Sequence, residues 1–265
     1  MRFMSIASGS SGNCSYIGSD NTHLLLDLGI SMKRIESGLS NAEISPRDLK
    51  AILITHEHID HIKSLGVISR KYNIPIYATY GTIDGIMTTG SLGTYDYNLL
   101  KAVPNNGSFQ IGDIRVNVHP VSHDANDPVC YSFEEGDKKI SVATDMGIYD
   151  DMTLDFLSES NVMLIEANHD IRMLEAGPYP YPLKQRILGK RGHLCNEASG
   201  RMIRELLHEN VLRIYLGHLS DKNNYPELAY ETVKQAIMDN PYTNDIREFG
   251  LSVASRNECG EVVEI

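Results

Sequence analysis

The chain has 265 residues, of which 42% are hydrophobic and 22% charged, enough for one large or two small soluble globular domains with a sizeable buried core. Thirty-five acidic residues against 24 basic ones give a net charge of −11, which excludes a histone-like protein that grips nucleic acid with its whole surface. Apolar runs such as Ala51-Ile52-Leu53-Ile54 fall far short of the ~18 residues of a membrane span.

A polar Gly/Ser loop begins by Ser8, so no signal peptide is expected. Cys14, Cys130, Cys195 and Cys259 are scattered without a CxxC pair and read as reduced thiols in a cytoplasmic protein.

Met1–Ala7 reads as an opening strand, followed by a small-residue loop through Ser11 and Asn13. Cys14–Gly18 and His23–Asp27 read as a hairpin, Ser31–Leu39 as a helix, and 51–55 as a strand buried on both faces. Asp60–Tyr72 has helical spacing with Ile62, Leu65 and Ile68 or Ser69 inward, and Asn196 is expected to cap a helix over Glu197–His208. Pro75–Ala78 follows as a strand, and one or two short helices fit Thr79–Leu92. Further strands are expected at Ser108–Ile111, Ile114–Val121, Val129–Glu134, Lys139–Thr144, Asn161–Glu166 and Val211–Gly217. Pro226–Met238 reads as a helix, and Phe249–Ala254 with Val262–Ile265 as a closing hairpin. Strands at both ends with helices between suggest two sheets packed face to face, in a single domain over 1–265.

Histidine is the unusual residue: ten in all, three of them within Thr55-His56-Glu57-His58-Ile59-Asp60-His61. Neighbouring imidazoles repel when protonated, and a metal supplies a reason to crowd them. His56 and His58, two apart in an extended turn, point the same way and can hold one divalent ion. Asp60 and His61 can hold a second beside it. His123, Asp145 and His218 each follow a predicted strand, where further ligands should lie. Asp27 closes another strand and reads as the residue that orients the histidine loop.

Asp27, His56-x-His58-x-Asp60-His61, His123, Asp145 and His218 resemble, in order, the five motifs of the metallo-β-lactamase superfamily. The resemblance implies an α/β fold, an αβ/βα four-layer sandwich of two mixed β-sheets with helices on both outer faces. It further implies two divalent metal ions, zinc or manganese. His56, His58 and His123 would hold one, Asp60, His61 and His218 the other, and Asp145 would bridge them.

Glu166-Ala167-Asn168-His169, Gly192-His193-Leu194 and His218-Leu219-Ser220 resemble motifs of tRNase Z-type enzymes. Ser10-Ser11-Gly12-Asn13-Cys14 and the run from Glu166 to Asn196 resemble the bacterial YycJ/WalJ nuclease family, with Cys195 standing where that family has serine. The stretch from Asp145 to His218 is too short for the extra domain of β-CASP nucleases, and no tRNase Z arm is evident.

These resemblances imply a phosphodiesterase, a DNA or RNA nuclease of exonuclease-like type with exo- versus endonuclease action left open, and with Asp60, Asp145, Glu166 and His193 catalytic. Substrate contacts are expected from Ser11, Asn13, Asn168, His169, Lys190, Arg191 and Ser220. His169 either touches substrate, orients Glu166 or is a satisfied buried histidine. Leu183–Arg204 carries Lys184, Arg186, Lys190, Arg191, Arg201 and Arg204 against one acid, Glu197, a basic strip that suits a phosphate backbone. Tyr179 and Tyr181, set among prolines, are either a rim for stacking bases or a structural loop. Two alternatives stay open: a small-molecule hydrolase of thioesters or cyclic phosphodiesters, and a non-catalytic metal-binding regulatory protein. The oligomeric state is open as well.

Overall fold

Strands β1 (Arg2–Ala7), β2 (Cys14–Gly18) and β3 (His23–Leu26) form an antiparallel meander that opens the chain, in a computed structural model that describes residues 1–238 and 250–265. Helix α1 (Met32–Asn41) then carries the chain to β4 (Leu49–Leu53), parallel to β3. Parallel neighbours need such helical crossovers. Helices α2 (Ile59–Ile62) and α3 (Leu65–Tyr72) lead to β5 (Ile76–Thr79), and α4 (Tyr80–Thr88) leads to β6 (Leu100–Val103). The core beneath them includes Met4, Ile6, Tyr16, Leu25, Ile35, Leu39, Ile52, Ile62, Leu65, Ile68 and Ile76, all buried. Strands β7 (Gly107–Ile111), β8 (Ile114–Pro120) and β9 (Val129–Glu135) form a second antiparallel meander.

The chain divides into two compact units, and these elements belong to the first: residues 1–120, 125–137 and 255–265. The second comprises residues 121–124 and 138–254. In it β10 (Lys138–Ala143), β11 (Val162–Glu166), β12 (Arg213–Gly217) and β13 (Gly250–Val253) pair in parallel, in chain order. Helix α5 (Asp151–Leu157) separates β10 from β11. Helices α6 (Ile171–Ala176), α7 (Tyr181–Leu188) and α8 (Asn196–Leu206) precede β12, and α9 (Pro226–Ile237) follows it. The last strand, β14 (Val263–Glu264), pairs antiparallel with β1. Among the described residues the strands make two mixed sheets of seven strands each, as the fold class requires.

Several elements differ from expectation. The helix expected over Asp60–Tyr72 is two helices, because three of its backbone groups bond elsewhere. The Asp60 carbonyl accepts from Asn13, the His61 carbonyl accepts from Leu28, and the Ser64 amide donates to Leu28. Cys195, not Asn196, stands at the N-cap of α8, and Asn196 turns its amide to Asn224 instead. The closing segments are not a hairpin, since β13 pairs with β12 and β14 with β1; Phe249 lies outside the described residues. Strand β6 was not anticipated, because its two central residues are exposed and leave no apolar run. Helices α5, α6 and α7 bury only one or two side chains each, too few for a readable period. Tyr181 opens α7 with Pro180 as its cap, so the Tyr/Pro run is partly helix rather than loop.

The turn between β7 and β8 is tied to the turn between β2 and β3 through Asp113. Its carboxylate accepts from Ser19 Oγ at 2.7 Å and Asn21 Nδ2 at 3.1 Å. Hydrogen bonds from Thr22 and Ser19 hold its pKa down, to about 2. A carboxyl more acidic in the folded than in the unfolded chain stabilises above about pH 4, and that contribution fades as pH falls through 2. Asp113→Asn is therefore expected to lower stability at pH 7 by about 0.5–1 kcal/mol, discounted for its solvent exposure. The gap between variant and wild type should close between pH 4 and pH 2 in urea titrations. A gap that persists at pH 2 would remove the charge from the explanation.

Candidate metal centre

Neighbouring strands of a sheet lie about 4.8 Å apart, so residues at the ends of two parallel neighbours come side by side. In the first unit β3 and β4 do this. Asp27 follows β3 in the left-handed conformation, at φ 62°, an unusual setting for a residue other than glycine. Its Oδ1 accepts from the Thr55 amide at 2.9 Å, and its Oδ2 lies 2.8 Å from His61 Nδ1. A carboxylate only accepts, so Nδ1 carries the proton and Nε2 of His61 is the nitrogen with the acceptor lone pair. Thr55 Oγ1 lies 3.0 Å from His56 Nδ1, and the His56 ring packs against His58 and His61 with centroids 4.6 and 4.1 Å away. Asp60 Oδ2 lies 3.5 Å from His61 Nε2.

Asn13 closes this loop from below. Its amide donates to the Asp60 carbonyl at 2.9 Å, and its Nδ2 lies 3.1 Å from His61 Nε2. Gly29 passes so close that a Cβ there would sit 1.6 Å from the Asp60 carbonyl oxygen, which only glycine permits.

The second unit repeats the device with β11 and β12. Glu166, fully buried, ends β11 opposite Gly217 in register, one residue before His218. Its Oε1 lies 2.7 Å from His193 Nδ1 and 2.9 Å from His218 Nδ1. Its Oε2 accepts from the amides of Met146 at 3.0 Å and Leu194 at 3.1 Å. Burial pushes the carboxyl pKa up, but His193 and His218 outweigh it and hold Glu166 well below the usual carboxylate range, ionised.

Asp145 follows β10 at φ 61° and His218 follows β12 at φ 54°. Asp145 Oδ1 lies 3.4 Å from His218 Nε2, 3.7 Å from His193 Nδ1 and 3.9 Å from His123 Nε2. His123 Nδ1 lies 3.1 Å from the Gly192 carbonyl, and burial pushes this imidazole toward its neutral, ligating form. Asp145, Glu166, His193 and His218 each bring one ligand atom within 4.8 Å of the others.

The donor set suits a divalent cation. Nδ1 of His61, His123 and His218 faces an oxygen, as is usual for metal-binding histidines, so that Nε2 is in each the nitrogen that could ligate. Asp60 and Asp145 add carboxylates.

The expected substrate contacts fall into two groups. Ser11, Lys190 and Arg191 are exposed. Asn13, Asn168, His169 and Ser220 are buried. Asn168 Nδ2 donates to the His218 carbonyl at 2.9 Å, and its carbonyl accepts from the Ser220 amide at 2.7 Å. His169 Nδ1 lies 3.3 Å from Asn168 Oδ1, and its Nε2 has no partner among the described residues. Burial pushes its pKa down to about 4, so the ring is neutral at pH 7. Sequence reasoning overlooked Thr55 as a bridge between Asp27 and two imidazoles. It also overlooked the reciprocal amide pair of Asn196 and Asn224, which ties the start of α8 to the loop after His218. The Asn223-Asn224 doublet shortly after His218 was the available signal.

Glu166→Gln is expected to be costly although it is nearly isosteric. One side of the amide would meet either two imidazole Nδ1–H groups or two backbone amides with its own NH2. Unsatisfied buried donors cost about 1–3 kcal/mol each. The urea midpoint should fall accordingly and the His218 ring should lose its orientation. A variant as stable as wild type would mean that Glu166 is not ionised as described.

Residues 23–218 match the β-lactamase superfamily domain. Over 240 residues the chain is 39% identical to the exodeoxyribonuclease YycJ of Bacillus anthracis, covering 89% of each. Over 232 residues it is 40% identical to the exodeoxyribonuclease WalJ of Streptococcus pneumoniae, covering 88% of this chain and 86% of that one. The zinc-bound structure of PqqB from Methylobacterium extorquens superposes with a TM-score of 0.71 over the whole of both chains at 14% identity, a likeness of fold alone. Strand-end histidines and aspartates in this order, on this fold and across this length of match, make the chain a member of the β-lactamase superfamily with the metallo-β-lactamase fold.

Proposed function

We propose that the chain is a binuclear metal-dependent phosphodiesterase that degrades nucleic acid, DNA foremost, from an end. The observation that carries this reading is the set of imidazoles oriented by oxygen acceptors at Nδ1, the arrangement usual for metal-binding histidines. Identity of 39–40% to two named exodeoxyribonucleases over most of the chain supports the substrate class.

In this reading His56, His58 and His123 would hold one ion and Asp60, His61 and His218 the other, with Asp145 as a shared carboxylate. Zinc suits the imidazoles and manganese the carboxylates. Bound, the ions supply Lewis acidity toward phosphoryl oxygens and a hydroxide near neutral pH. The chain's own groups do the rest. Asp27 and Glu166 fix the rings of His61 and His218. Glu166 also holds His193 by Nδ1, so that a proton on its Nε2 can pass to the leaving oxygen. Exposed Lys190 neutralises a backbone phosphate. A reducing, cytoplasmic setting fits the four free cysteines, and among the described residues no helix is long and apolar enough to cross a membrane.

Purified protein should carry about two ions per chain. With manganese or zinc it should shorten end-labelled DNA stepwise. His193→Ala is expected to slow cleavage by about 10²–10⁴-fold while binding persists. Lys190→Ala should weaken binding of every sequence and flatten its log–log salt dependence by about 0.7–0.9. Cleavage confined to small phosphodiesters, or full activity with one ion, would overturn the proposal.

A further inference from the structure

We infer that Arg191 is a positioning residue of the metal centre: its Nε holds the backbone of His123 and so sets how tightly the centre binds its ion. The inference rests on the proposed reading of His123 as a metal ligand.

His123 needs such support. Residues 121–128, between β8 and β9, have no regular secondary structure, so no ladder fixes the His123 backbone. Three consecutive residues of the segment before His193 take that role. Lys190 offers its carbonyl to Ser122 Oγ at 2.8 Å. Arg191 Nε donates to the His123 carbonyl at 2.9 Å. Gly192 accepts from His123 Nδ1 at 3.1 Å. The Gly147 amide donates to the Ser122 carbonyl at 2.9 Å, and a Cβ on Gly147 would lie 2.4 Å from the Lys190 carbonyl oxygen, so the loop after Asp145 is packed against the same segment. Arg186 adds a forked pair with Asp124, the next residue.

The Arg191 bond is the charge-assisted one of the three backbone contacts, and such bonds are stronger than neutral ones. It is also directional. The guanidinium is a rigid planar fork, and its Nε proton points along one line in the plane. Releasing it frees the His123 carbonyl while the Gly192 bond still holds the ring, so the histidine stays near its place but loses its restraint. Loss of a partner that orients a ligating histidine commonly weakens metal binding by about 10–100-fold. Arg191 acts one step further out, on the backbone, and an effect of about tenfold is expected.

The test is zinc affinity of the full chain, stripped of metal and titrated in competition with a chromogenic chelator. Arg191→Ala should bind about tenfold more weakly. Arg191→Lys should do the same, because an ammonium keeps the charge but places no donor at the Nε position. Lys184→Ala, which removes a charge from the same basic segment, should bind as wild type does. His123→Ala distinguishes the two layers of the argument. If it is weakened while Arg191→Ala matches wild type, the positioning role is overturned and the ligand reading stands. If His123→Ala also matches wild type, the ligand reading falls and the inference with it. Thermal unfolding of the stripped proteins completes the test. A general loss of stability in Arg191→Ala, in step with its weaker binding, would reduce the residue to an ordinary structural contact and overturn the inference.

Discussion

In the second unit Asp145, His193 and His218 are gathered around one buried carboxylate. Glu166 has no exposed surface, and each of its oxygens takes two hydrogen bonds, one from the imidazoles of His193 and His218, the other from two backbone amides. A buried charge is expensive unless it is paired and fully hydrogen-bonded. Meeting that condition forces four groups from three loops into one geometry. The amide partners belong to Met146, next to Asp145, and Leu194, next to His193. Satisfying Glu166 thus places Asp145, His193 and His218 together.

The first unit solves the same problem with Asp27. The arrangement recurs because parallel strands deliver it: a carboxylate at the end of one strand lies beside a histidine that leaves the end of its neighbour. Asp27 and the histidine loop follow β3 and β4; Glu166 and His218 follow β11 and β12. Tight turns off these strand ends put Asp27, Asp145 and His218 in the left-handed region. Such backbone strain is tolerated where surrounding contacts over-determine it, which is the situation at functional sites.

The basic strip takes on a different meaning in three dimensions. Arg186 pairs with Asp124, Lys184 donates to the Glu175 carbonyl and Arg191 to that of His123. Arg186 and Arg191, which a linear reading assigns to substrate, are thus also engaged in bracing the loop around His123.

The amino-acid order alone determined which metal-binding side-chain types follow the strands, since the run His56-x-His58-x-Asp60-His61 stands directly behind a buried apolar strand. It also determined most strands and the long amphipathic helices, whose burial imprints a period on the chain. It could not reveal α5, α6 and α7, which bury too few side chains to leave a pattern, nor the division of 60–72 into two helices. That division arises because Asn13 and Leu28, far back in the chain, take the backbone hydrogen bonds a continuous helix would use. Tertiary structure likewise decided which nitrogen of each imidazole is committed. His61, His123 and His218 look alike in sequence, but their Nδ1 partners are an aspartate, a backbone carbonyl and a glutamate. Hydrogen bonds between distant residues are set by where strands end in space, and no local pattern encodes them.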